Sequence, residues 1–154
     1  MSFSRIVPRV FFFPAVLLLM LALLAPPARA QAPDDPRPTA VAAMKTWLQE
    51  MDGGQYAQSW KDASSFFQKA ITQDQWVAAS KSVRMPLGKL SSRVQASAMH
   101  QTDAPSPDGT IKGDFVIAQF NASFENLAYA IETVSFEKDT DGQWRAAGYY
   151  IKPK

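Results

Sequence analysis

Glu132 has the most chemical potential of any residue in this 154-residue chain. It sits mid-run in Leu127–Lys138, where Ala130, Glu132, Val134 and Phe136 alternate with Tyr129, Ile131, Thr133 and Ser135. A strand sets alternate residues on opposite faces, so this carboxylate shares a face with apolar side chains. Burying it is costly unless a cation pairs with it. Arg84 and Arg93 flank the corner Arg84-Met85-Pro86-Leu87-Gly88, and an internal Arg84–Glu132 or Arg93–Glu132 ion pair is the economical arrangement. In a pocket, a carboxylate beside an arginine could move a proton on a weak acid, with Glu132 as base. A purely structural pair, or a solvated sheet face, is the alternative.

Other chemistries find little support. Nucleophilic catalysis needs an activated Ser or Cys beside a base. The chain has no Cys, and its single histidine, His100, falls at a strand end. No Gly-x-Ser-x-Gly elbow occurs. One histidine without cysteine does not make a zinc site. Asp139-Thr140-Asp141-Gly142 starts like a calcium loop, but position twelve is Tyr150 where a Glu is needed, so a hairpin turn is expected instead. There is no glycine-rich phosphate loop. No metal or cofactor is therefore expected. Trp47, Trp60, Trp76 and Trp144 remain. They could fill the space between helices and sheet. Alternatively Trp60 and Trp76, with Tyr149, could line a cavity for a small apolar or planar ligand.

The charge balance changes once the first thirty residues are set aside. The chain has 16 Lys+Arg and 14 Asp+Glu. Met1–Ala30 holds three arginines and no acid, so the remainder has 13 basic and 14 acidic residues. That near-neutral balance, with no basic run, gives nucleic-acid binding no electrostatic basis. The first thirty residues read as a signal peptide: a short basic start, the 15-residue apolar run Val10–Leu24, two prolines, then Ala28-Arg29-Ala30. The run is shorter than the ~20 apolar residues a membrane span needs. Cleavage is expected between Ala30 and Gln31, giving a periplasmic or secreted bacterial protein with no membrane association afterwards. Gln31–Pro38, with three prolines in eight positions, should be an extended linker. Residues 39–154 then form one domain.

Within that domain the hydrophobic period is first 3.6 and then 2. Met44, Trp47, Leu48 and Met51 make one helical stripe behind Thr39, the expected cap, and Asp52-Gly53-Gly54 ends it. A second helix is expected over Gln55–Ala70, with Ser64-Ser65 a potential break. Thr72-Gln73-Asp74-Gln75 has the form of a capping box and opens a third helix that carries Trp76, Ala79 and Val83 inward. After Gly88 come four alternating runs. Leu90–Gln101 sets Val94, Ala96, Ala98 and His100 against Arg93, Gln95, Ser97 and Met99. A Pro-rich loop, Asp103–Thr110, leads to Lys112–Phe124, with Val116, Ala118, Phe120, Ala122 and Phe124 on one face. Glu125-Asn126 turns into the Glu132 strand. Gln143–Lys152 closes the chain, with Trp144, Ala146, Gly148 and Tyr150 opposite Arg145, Ala147, Tyr149 and Ile151. The expected class is α+β: three N-terminal helices packed on a curved four-stranded antiparallel sheet. Long strands must twist, which suggests a half-open cone of the nuclear-transport-factor-2-like layout.

Several segments together resemble a bacterial domain family of unknown function, DUF4019. They are Trp47-Leu48, Asp52-Gly53-Gly54-Gln55-Tyr56-Ala57-Gln58-Ser59-Trp60, Gln75-Trp76-Val77, Arg84-Met85-Pro86-Leu87-Gly88 and Arg93. Pro107-Asp108-Gly109, Glu132-Thr133-Val134 and Asp141 through Tyr149 complete the set. The resemblance implies an export signal and assigns no catalytic residue.

The expected role is an exported, non-catalytic domain that binds a small molecule or a protein partner. Trp60, Trp76, Arg84, Arg93, Glu132 and Tyr149 are its candidate ligand-binding residues. A small cone-pocket enzyme of isomerase or dehydratase type is one alternative. A structural homodimer, covering spare apolar sheet surface, is another.

Overall fold

The computed structural model describes residues 35–105 and 112–154. The expected signal peptide, most of the expected linker and the rest of the Pro-rich loop lie outside the described residues. Four α-helices come first: α1 (Arg37–Asp52), α2 (Tyr56–Lys61), α3 (Ser65–Ala70) and α4 (Gln73–Arg84). A single 3₁₀ turn, Met85–Leu87, leads to the strands β1 (Leu90–Pro105), β2 (Lys112–Phe124), β3 (Leu127–Lys138) and β4 (Trp144–Pro153). The strands form one antiparallel sheet in the order β1-β2-β3-β4.

The helix count is four rather than three. Ser64 divides the expected second helix: it leaves the helical region (ψ 158°) and its hydroxyl accepts from the Phe67 N–H, capping α3. α1 also begins earlier than Thr39. Pro38 sits in its first turn, where no intrahelical partner is needed and proline costs nothing, so Arg37 and Pro38 belong to the helix and not to the linker. The capping box of α4 forms as expected, with Thr72 N–H donating to Gln75 Oε1 (3.1 Å) and Gln75 N–H to Thr72 Oγ1 (3.3 Å). The buried row of α4 is Trp76, Ser80 and Arg84, whereas Ala79 and Val83 are exposed.

The core lies between α1 and one face of the sheet. Met44, Trp47, Leu48 and Met51 pack with Val116, Ala118, Phe120, Val134, Phe136 and Ala146. β2 and β3 alternate as expected. β1 and β4, the edge strands, do not. Gln95 pairs with Phe120 and Ser97 with Gln119, so Ala96 is an extra residue. Ser135 pairs with Gly148 and Phe136 with Ala146, so Ala147 is another. Each bulge reverses the alternation beyond it. Opposed residues share a face. Arg93 and Gln95 therefore face inward opposite Ala122 and Phe120, and Ala98 and His100 face inward opposite Ala118 and Val116. Val94 turns out to solvent. On β4, Ala146 and then Tyr149 and Ile151 share the inner face, opposite Phe136, Val134 and Glu132. β1 also runs on to Pro105, beyond the expected start of the loop.

Two turns fix the ends of the sheet. Gly88 has φ 74°, and a Cβ there would lie 2.7 Å from Glu125 Oε2, so only glycine fits the corner. Asp139 accepts from Ser65 N–H and Oγ (3.0 and 2.9 Å) and ties the β3–β4 turn to α3.

Deleting Ala96 should remove the β1 bulge and swing Arg93 to the outer face. We expect loss of cooperative unfolding, or a fall of at least about 3 kcal/mol in urea denaturation, the cost of breaking a buried ion pair. Replacing Ala96 with Ser, which keeps the extra residue, should leave the transition nearly unchanged.

Candidate functional site

Five side chains from five elements meet beneath the sheet's inner face: Asp52 at the end of α1, Arg84 at the end of α4, Arg93 on β1, Glu132 on β3 and Tyr149 on β4. Glu132 is completely covered. Its Oε1 accepts from Arg84 Nη1 (2.9 Å), Arg93 Nη2 (3.1 Å) and the Tyr149 hydroxyl (2.7 Å). Its Oε2 accepts from Arg93 Nε (2.5 Å). Asp52 closes the group from the solvent side, taking Arg84 Nη2 (2.5 Å), Arg93 Nη1 (2.6 Å) and Arg93 Nη2 (2.8 Å). Two cations thus face two carboxylates, and both expected Arg–Glu132 pairs are made at once.

The exposure is graded. The Arg84 side chain keeps 4% of its surface, Arg93 11% and Asp52 20%. Burial works against the charge on both arginines. The Tyr149, Glu132 and Asp52 oxygens outweigh it for Arg84, and the two carboxylates do so for Arg93, so both pKa values rise. Burial and then the Glu132 charge push the Tyr149 phenol well above its ordinary value, which keeps its proton available to donate. Arg84 also stacks over Phe124 at 4.7 Å, a cation–π contact on its remaining face.

The tryptophans divide differently. Trp47 Nε1–H donates to the Ser59 carbonyl (2.8 Å) and Trp76 Nε1–H to the Ser59 hydroxyl (2.9 Å). Ser59 itself is fully buried and donates to the Tyr56 carbonyl. Trp60 donates to the Ile71 carbonyl (2.8 Å) and stands apart from the charged group. Of the six candidates, Arg84, Arg93, Glu132 and Tyr149 come together, and Trp76 adjoins Tyr149 along a cleft between α4 and β4. Sequence reasoning missed Asp52, treating it only as part of a helix stop. Two signals were present. Asp52 continues the row Met44, Leu48 at i+4 spacing, and an acid in the last turn of a helix opposes the macrodipole unless a cation meets it.

A second carboxylate pair borders a separate cleft. Glu50 and Asp62 border a cleft of about 360 Å³ with Trp47, Trp144 and Arg145. Burial, and then the neighbouring Asp62, raise the Glu50 carboxyl to about 7. Glu50 Oε2 is buried with no hydrogen-bond partner among the described residues, and a protonated Glu50 carboxyl could donate to the neighbouring Asp62 carboxylate. Among the described residues, no group of three or more His, Cys, Asp or Glu is placed to hold a metal ion. No described helix is long and apolar enough to cross a membrane.

The family model for a protein of unknown function, DUF4019, matches residues 43–149, and the chain belongs to that family. No curated protein matches it.

Two measurements check this geometry. Glu132→Gln leaves two buried arginines with one carboxylate between them, and should cost about 3–5 kcal/mol in urea unfolding. Glu50→Gln tests the other pair. The folded pKa of Glu50 is raised, so the stability tied to its protonated form is complete below about 4.5 and lost as pH rises through about 7. The variant should match the parent's melting temperature near pH 4 and exceed it at pH 8.

Proposed function

We propose that this member of the DUF4019 family is an exported, non-catalytic domain that binds a small molecule or a protein partner. Its layout, in this reading, is a half-open cone of the nuclear-transport-factor-2-like kind. One observation carries the non-catalytic part. Glu132, the residue best suited by sequence to act as a base, has no exposed surface and already accepts four hydrogen bonds. A general base must reach the proton it removes. Reaching Glu132 would require parting two guanidinium groups and a phenol, each held at hydrogen-bond distance. The charged group therefore acts as a strut, and the isomerase-like alternative loses its base. Export is supported by the basic, apolar and small-residue pattern of Met1–Ala30.

Binding is supported by the apolar surface left open. Val94, Met99, Tyr129 and Tyr150 are more than half exposed on the sheet, and a cleft opens beside Tyr150. The test is expression of the full chain in a Gram-negative host, followed by fractionation and native mass spectrometry. We expect the chain in the periplasmic or secreted fraction, starting at Gln31, with a releasable ligand or a protein partner. Retention in the cytoplasm with Met1 intact would refute export, and a bare chain in every preparation would refute binding.

A further inference from the structure

The cleft between α4 and β4 shares Tyr149 with the strut. Trp76, Ser80 and Val83 form one wall, and Tyr149, Tyr150 and Ile151 form the other. Its volume is about 160 Å³. A cavity of ~150 Å³ with apolar walls is enough to take one benzene ring. Among the described residues no charged side chain lines it, so an ion entering it would lose hydration without compensation.

Ser80 is the unusual member of the wall. It keeps only 4% of its surface, and its hydroxyl has no hydrogen-bond partner. Two residues on, Ser82 donates to the Ala79 carbonyl (2.8 Å), the local bond a helical serine usually finds. Ser80 makes no such bond, although an unpaired buried hydroxyl is costly. The hydroxyl is covered by its surroundings, and one staggered step of its χ1 angle changes its aim.

We infer that this cleft is a binding site for a small, neutral, ring-bearing molecule with a single polar group, the ring lying between Trp76 and Tyr149 and the polar group meeting the Ser80 hydroxyl. The inference rests on the binding-domain reading above and deepens it. Three features select this class: volume admits one ring, the uncharged walls select neutrality, and the unpartnered hydroxyl calls for one donor or acceptor. A hydroxyl can serve either.

Phenol and toluene make a matched pair of probes, differing in a hydroxyl against a methyl, and benzoate is the charged control. The readout is the Trp76 indole N–H signal in heteronuclear NMR, since that group is fixed on Ser59. Phenol and toluene should produce saturable shifts there, and benzoate none. Ser80→Ala removes no existing hydrogen bond, so its melting temperature should equal or exceed the parent's. It should lower the preference for phenol over toluene by roughly three- to tenfold, the worth of one neutral hydrogen bond. Ala79→Trp, at an exposed position on the cleft rim, should abolish binding of both. Absence of saturable shifts with phenol and toluene would overturn the site. So would an unchanged preference in Ser80→Ala, or full binding in Ala79→Trp. A ligand or partner found by native mass spectrometry, with no probe binding at Trp76, would leave the broader reading standing and remove this site alone.

Discussion

A carboxylate with no water around it must find its counter-charge inside the protein, and Glu132 sets that condition for the whole fold. The cost of stripping hydration from one buried ion is several kcal/mol, repaid only when geometry is good and every lone pair is used. Here the repayment comes from Arg84, Arg93 and Tyr149 together. Two arginines against one carboxylate would leave an excess positive charge, and Asp52 removes it. The result is a neutral group whose members come from α1, α4, β1, β3 and β4. Apolar contacts are tolerant of small slips. A bidentate guanidinium–carboxylate pair is not. The group's energetic contribution is therefore less important than its specificity: it admits one register of helices against the sheet.

The bulges follow from the same constraint. Regular alternation would send Arg93 out to solvent alongside Ser97 and Met99, and Tyr149 away from Ala146. An extra residue within each edge strand, Ala96 in β1 and Ala147 in β4, reverses the faces at the point where the charged group begins. Edge strands can accept a bulge because only one side of the ladder is disturbed. The central strands β2 and β3 keep strict alternation across Val116–Phe124 and Ala130–Phe136. The irregularity thus falls where it costs least and where it brings inward the two side chains Glu132 requires.

This explains which parts of the architecture were legible. Helical stripes and the alternation of β2 and β3 depend on apolar residues at fixed periods, so Met44 to Met51 and Val116 to Phe124 were readable. The Thr72–Gln75 capping box is local chemistry and was equally plain. Ala79 and Val83 misled because a buried row was assumed to be apolar, whereas the row that faces inward ends in Arg84, drawn by Asp52 and Glu132. A bulge has no composition of its own: Ala96 and Ala147 look like any small strand residue, and only pairing reveals them. Asp52 was hidden beside two glycines, where an acid reads as punctuation. Glu132 stood out because it broke an apolar pattern, and its partners could be narrowed to two arginines without deciding between them. The structure uses both.

Comparing the two glutamates shows what decides charge in this domain. The Glu50 carboxyl is raised to about 7, since burial there is compounded by the like charge of Asp62. At Glu132, burial is complete but two guanidinium groups are in contact. A buried carboxyl answers to the charge of its nearest neighbour as well as to its depth. The same reasoning separates strut from site. Both carboxylates, both guanidinium groups and the phenol of the strut are engaged with one another, so it offers a ligand little without first being broken. In the cleft that the same tyrosine lines, Ser80 is buried with its hydroxyl unengaged. Tyr149 belongs to both: its hydroxyl is fixed by Glu132 and Arg84, while its ring forms a wall of the cleft. A ring held at its polar end by a charge network is a preorganised surface, and a ligand resting on it need not bear the cost of ordering that side chain.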